Sequence, residues 1–450
     1  MSSSGRFATF PIAAHVQLET PEALFAALRN YANSFWLDTV AENGEWSYFG
    51  FIQSRPCNTV RDCMAHRPSL NSNQVYVADA PPFRGGWVGY IGYDLNELVK
   101  KHPFERMSFG YTPSVLAFSH RQQRWWAAGV LPNPLSYKNQ QSAAQEMAHS
   151  LVERLIGAKR ENLTVLPDAR RACANFKAGA YNHAVEQALK YIAAGDIYQI
   201  NLAQKFSTPW ELSPQLLYWR LRQESPAQFG AYLGSGIVGS HRAICSISPE
   251  MFLRLRGKEV LTRPIKGTRP LGDSIKETLK ARIELEQNAK ERAELNMIVD
   301  LERNDLGRVC KFDSIQVESA GSVEELPTLL HRIATIRGIL RQHHGPLSLL
   351  KATFPGGSVT GAPKIRAMQL IRELEPSPRG PYCGAIGWIG VNGDMEMSIA
   401  IRTALYDGVA GTAEYHAGSG IVADSDPQLE YEETLHKAAA FFKATNSRLE

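Results

Sequence analysis

The sequence has 450 residues, 44% of them hydrophobic and 21% charged, with a formal net charge of +4. That balance belongs to a folded globular chain and excludes a disordered one. The charge is too mild to indicate a nucleic-acid partner, and a groove for a small anion is compatible with it.

No run of about 18 apolar residues occurs, so no transmembrane helix and no membrane partner is expected. Met1-Ser2-Ser3-Ser4-Gly5-Arg6 leads into no apolar run, so no signal peptide is expected. The six cysteines form no C-x-x-C pair and no zinc-spaced cluster. They read as reduced thiols of a cytoplasmic protein.

In chain order, the first 165 residues carry short apolar runs broken by Gly, Pro and Asn, as at 46–52 and 85–93. These predict strands and turns. Helical periodicity falls at 21–30 and 141–156. A polar stretch, 157–174, predicts a connection between an N-terminal accessory region, 1–165, and a second region, 170–450. There the pattern predicts a helix over 178–194, a strand over 198–206 and one long helix over 274–306. Asp426-Pro427 opens a last helix, since Asp suits the N-cap and Pro the first helical position.

Glu291 and Glu294 are three apart on the long predicted helix, as are Glu430 and Glu433 on the last, with Lys437 one turn further on. Two carboxylate pairs on two helices suit magnesium, which takes a few carboxylate oxygens and keeps other positions for water and substrate. Either pair alone reads as an ordinary solvated face.

The run from Phe354 to Lys364 resembles a phosphate loop, but Lys364 falls too late for a Walker motif and Pro363 lacks an N–H. Pro363 instead suits the first turn of a helix reaching Leu374. Gly418-Ser419-Gly420 reads as a glycine turn whose backbone amides approach an anion, or as a plain tight turn. Lys266 lies in Pro264-Ile265-Lys266-Gly267-Thr268-Arg269-Pro270, a constrained loop flanked by Arg263 and Arg269. Burial and nearby cations favour the neutral amine that a nucleophile needs. A strand–turn–strand path would return the chain so that Glu250 sits beside Lys266 as a proton donor.

Together these segments resemble the chorismate-utilising enzymes. The resemblance rests on Asp196 to Leu202, Ser248-Pro249-Glu250, the lysine loop, Met297 to Arg308, Phe354 to Lys364, Ile399 to Thr403 and Gly418 to Asp426. It implies an α+β, anthranilate-synthase-like fold of two antiparallel β-sheets packed in a sandwich with helices outside. It implies a magnesium site at Glu294 and Glu433, with Glu291 and Glu430 close by or acting through water. It implies substrate contacts at Arg402, Lys437, Gly418, Ser419, Gly420, Tyr382 and Thr360, and an active-site histidine at His331.

Two positions separate the members. Water-adding members carry a lysine base where this chain has Gln199, and glutamine cannot act as that base. Anthranilate synthases read P-I-A-G-T at the lysine loop, whereas aminodeoxychorismate synthases read P-I-K-G-T, as here. The resemblance therefore implies amination of chorismate at carbon 4, with Lys266 as nucleophile and Glu250 as general acid. Ammonia would come free or from a glutamine amidotransferase subunit. Anthranilate formation is the alternative. Two further readings are a non-catalytic aromatic-ligand-binding subunit and a lysine Schiff-base enzyme using pyridoxal phosphate. The stretch Trp36-Leu37-Asp38-Thr39 departs from the L-L-E-S segment of a tryptophan-feedback site, so feedback is not expected.

Overall fold

The computed structural model describes residues 5–11, 18–39, 45–54, 56–59, 79–95, 102–132, 137–156, 160–165, 167–272, 274–325 and 329–450. Among these residues, thirteen strands form one sheet and nine form a second. Every pairing is antiparallel except Ser447–Leu449 with Arg170–Ala174. That strand lies inside the stretch expected to be a polar connection. It is recruited as an edge because the chain end pairs with it, a long-range contact that local polarity does not report.

Strands from both parts of the chain share both sheets. Ser34–Asp38 pairs with Phe229–Leu233 in the larger sheet, and Gly86–Ile91 pairs with Ala385–Gly390 in the smaller. The facing surfaces are apolar. Phe35, Leu37 and Val115 from the larger sheet meet Val88, Ile386 and Trp388 from the smaller in one core cluster. A second cluster lies on the far side of the larger sheet, where Leu216, Leu221 and Phe441 of two helices cover Trp36, Tyr232 and Tyr415. This is the expected sandwich, flanked by helices. No helix among the described residues is long and apolar enough to cross a membrane.

Eight elements position the candidate site. They are β1 (Gln199–Pro209), β2 (Ile265–Pro270), α1 (Ile275–Gln287), α2 (Ala289–Gly307), β3 (Leu329–Ile339), α3 (Lys364–Leu374), β4 (Thr412–Ile421) and α4 (Pro427–Thr445). The last helix starts as its sequence predicts. Asp426 accepts hydrogen bonds from the amides of Gln428 and Leu429, and Pro427 follows. Two expectations are corrected. The single helix over 274–306 is two, broken at Asn288, whose backbone is extended and whose side chain accepts from the Glu291 amide to cap α2. Pro363 stands just outside α3 in extended conformation, and Lys364 begins the helix.

Candidate active site

Near the end of the smaller sheet, β2, α2, β4 and α4 converge on a cavity of about 490 Å³. It is lined by Glu250, Lys266, Glu291, Glu294, His331, Tyr382, Arg402, Gly418, Gly420, Glu430, Glu433 and Lys437. Residues spread over nearly 190 positions of sequence thus face one space, which local patterning alone could not establish.

Lys266 lies within β2, at an irregularity in its pairing with β3 between Ile265 and Thr268, rather than in the expected loop. Its half-buried amine donates to the Ser358 carbonyl at 3.5 Å. The next residue, Gly267, has φ +82, and a Cβ there would sit 2.8 Å from Glu291 Oε2. Only glycine allows the strand to lie this close to α2. The two flanking arginines are spent on carboxylates rather than on the lysine. Arg263 pairs with Glu324, and Arg269 bridges Glu284 at 3.1 Å and Glu291 at 2.9 Å. The expectation that these cations bear on the amine is corrected accordingly.

Glu250 is 4% exposed, at the head of a strand (Met251–Arg256) that turns back through Glu259–Arg263, with Met251 opposite Arg263. This is the strand–turn–strand return expected from sequence. Burial pushes its carboxyl up from 4.5 to about 7, against the opposing pull of Ser358, Lys266 and Lys437. A carboxyl at that value holds its proton near neutrality and can release it.

His331 on β3 faces Thr268 across the ladder, and its Nδ1 lies 2.9 Å from Thr268 Oγ1. Nε2 is buried with no protein partner. Burial, and then the charge of Arg402, hold the imidazole down at about 4, so it is neutral at pH 7. Arg402 itself sits at φ +51, a left-handed conformation unusual for a side chain of its size. Such strain costs about 1–3 kcal/mol and concentrates at functional sites.

Gly418 and Gly420 lie not in a turn, as expected, but within β4, in register with Ala203 and Asn201 of β1. They are glycines because β1 fills the space above them. A Cβ on Gly418 would meet Asn201 Oδ1 at 2.8 Å, and one on Gly420 would meet Gln199 Nε2 at 2.8 Å. Strand alternation explains the residue between them. Ser419 points to the other face, where its hydroxyl lies 3.1 Å from that of Tyr181. Gln199 is buried and reaches the site edge beside Gly420, its Oε1 without a partner. Thr360 is also buried and closes its own turn by donating to the carbonyls of Gly356 and Gly357. Gln199, Ser419 and Thr360 are therefore not among the cavity-lining side chains.

Glu294 and Glu433 approach from α2 and α4. Burial raises the Glu294 carboxyl; Lys266 and Lys290 oppose this, while Glu433 and Glu430 add to it. For Glu433 burial also pushes upward, but Lys437 at 2.6 Å, with Lys266 and Lys290, leaves it below the ordinary range. About half of the Glu433 side chain is exposed, so water screens that pairing. Lys437 also donates to the Gly418 carbonyl at 3.0 Å. Glu430 accepts from Ser425 at 2.6 Å through one oxygen, and its other oxygen is buried and unpartnered, as is Glu291 Oε2.

Among the described residues no three His, Cys, Asp or Glu side chains are grouped closely enough to hold an ion by themselves. The carboxylates still fit magnesium chemically. Four of them, Glu291, Glu294, Glu430 and Glu433, line one cavity, their like charges oppose one another, and the remaining positions are those that water and a substrate oxygen fill.

Sequence reasoning missed several lining residues: Asn201, Lys290, Ser358 and His416. Asn201 was readable, because it lies two positions from Gln199 on one strand face. His416, stacked on Tyr382 at 5.0 Å, left no signal in the sequence.

A cavity with a buried acid, an amine, a strained arginine and opposed carboxylates is a candidate enzyme site. The chain belongs to the chorismate binding enzyme family, whose model matches residues 24–443. It is similar to anthranilate synthase component 1 of Thermus thermophilus, 36% identical over 95% of each chain. It is also similar to aminodeoxychorismate synthase component 1 of Bacillus subtilis, 35% identical over 81% of this chain and 77% of that one. The crystal structure of anthranilate synthase component I from Streptococcus pneumoniae superposes with a TM-score of 0.71 at 28% identity, covering 98% of this chain and 92% of that one.

Proposed function

We propose that this enzyme aminates chorismate at carbon 4 to give 4-amino-4-deoxychorismate, the precursor of 4-aminobenzoate in folate synthesis. The observation that carries this reading is the placement of Lys266 and the buried acid Glu250 in one cavity. An alanine at the lysine position would leave no nucleophile there.

The chemistry follows from these two groups. The amine of Lys266 forms a bond to carbon 2 of the ring through its nitrogen lone pair. Both ring double bonds shift, the carbon 4–oxygen bond breaks, and the hydroxyl leaves as water with the proton of Glu250. Ammonia then bonds to carbon 4, the double bonds shift back, and the lysine amine is expelled from carbon 2. The excess proton of the incoming nitrogen returns to Glu250. One difficult displacement is split into two easier ones. Neutral His331 contributes a hydrogen bond rather than a charge.

Arg402, Tyr382, Lys437 and the glycine face of β4 hold the substrate, with Gln199, Ser419 and Thr360 shaping the walls from behind. Glu294 and Glu433, with Glu291 and Glu430 beside them, would hold magnesium. Once bound, magnesium would withdraw charge from the ring through a substrate carboxylate. Ammonia would be delivered by a glutamine amidotransferase subunit in the cytoplasm.

A second reading, anthranilate formation, is favoured by the full-length similarity to the Thermus enzyme. The two separate in one assay. The purified chain is incubated with chorismate, magnesium and ammonium, and the product is identified by chromatography and fluorescence. Aminodeoxychorismate without anthranilate is expected. Abundant fluorescent anthranilate with no added lyase would overturn the proposal.

A further inference from the structure

Behind the cavity wall lies an arginine that no step of the chemistry uses. Arg379 is 1% exposed, and four of its contacts are hydrogen bonds to three separate segments. Nε and Nη2 donate to the two carboxylate oxygens of Glu375 at 3.0 and 2.6 Å. Nη1 donates to the Val359 carbonyl at 2.9 Å, and Nη2 also donates to the Asn201 carbonyl at 2.6 Å. The guanidinium lies 4.5 Å from the Tyr93 ring centroid and 5.9 Å from that of Tyr382. Glu375 in turn accepts from the Ala203 amide at 2.9 Å.

Three of these neighbours, Val359, Asn201 and Tyr382, line the cavity. They come from the glycine-rich segment before α3, from β1 and from the loop before Ala385–Gly390. No backbone ladder joins all three. A planar group with five donors in a fixed fork can bond several carbonyls at set angles, which a lysine ammonium cannot reproduce. A buried ion pair adds little net stability compared with apolar replacements. Its effect here therefore lies in geometry rather than in folding strength.

We infer that Arg379, held by Glu375, is a positioning residue that fixes the substrate-facing wall formed by Val359, Asn201 and Tyr382. The inference rests on the cavity being the chorismate site, and it holds for either amination product.

The test is the paired variant Arg379→Met with Glu375→Gln, which removes both charges and leaves no unpaired buried ion. Chorismate consumption with ammonium and magnesium is followed alongside thermal unfolding. The expected result is a melting temperature within a few degrees of wild type and a chorismate KM raised about tenfold or more, with kcat changed less. Arg379→Lys keeps the charge opposite Glu375 and serves if the pair fails to fold; its KM rises by a smaller factor. A folded variant of either kind with wild-type KM and kcat overturns the inference. A wild-type chain that consumes no chorismate overturns the functional reading, and this role with it.

Discussion

Replacing Glu250 with glutamine separates its chemical role from its energetic one. The wild-type carboxyl sits at about 7 instead of 4.5, chiefly because it is buried. A carboxyl raised in this way favours folding only while protonated. That contribution is complete below about pH 4.5 and is lost as pH rises through about 7. Raising it over that interval corresponds to about 3 kcal/mol of folded-state cost at alkaline pH.

Glu250→Gln keeps the shape and removes the titration. Its stability relative to wild type should climb between about pH 4.5 and 7 and level off about 3 kcal/mol higher. Its turnover should fall by about 10² to 10⁴, the range expected for loss of a general acid. Wild-type kcat/KM should drop about tenfold per pH unit above 7, as the proton is lost. Denaturant titrations and chorismate consumption over the same pH series measure both quantities. A variant with no pH-dependent gain in stability, or with wild-type turnover, would refute the assignment of Glu250 as a buried acid.

Lys266→Ala should fold normally and lose amination at carbon 4; an unchanged rate at saturating ammonium would remove the covalent role. Glu433→Ala should raise the magnesium concentration needed for half-maximal activity by about tenfold, and a titration identical to wild type would contradict the metal assignment. Gly420→Ala places a Cβ 2.8 Å from Gln199 Nε2 and 3.7 Å from Lys266 Nζ. The glutamine end can shift, so stability should change little, while kcat/KM falls about tenfold or more. Wild-type kcat/KM in that variant would show that Gln199 has no fixed place at the site.

The order of segments along the chain made the substrate class and nearly half of the cavity lining legible in the sequence. Lys266, Glu250 and the four glutamates could be singled out because each lies in a short run whose identity is local, although only the fold brings them together. The break at Asn288 was less legible, since Gln287-Asn288-Ala289-Lys290 contains neither Gly nor Pro. The available signal was an asparagine three residues before a glutamate, the pattern of a helix N-cap. The glycines at 418 and 420 read as a turn because glycine is poor in strands. Their reason is the pair of amide side chains on the neighbouring strand, a contact across more than 200 residues. Arg379 carried no sequence mark at all, because what makes it useful is the meeting of three distant backbones.

The sharing of both sheets between early and late segments bears on how the chain is made. Gly86–Ile91 pairs on one edge with nearby Met107–Thr112, but its other edge finds a partner only at Ala385–Gly390. At ribosomal speeds of about 5–20 residues per second, the roughly 300 intervening residues take about 15–60 s to emerge. For that interval the early strand is synthesised but has an unpaired edge, the kind of surface that recruits other chains. Nascent molecules of this enzyme therefore expose that edge for longer than a protein built from consecutive hairpins would.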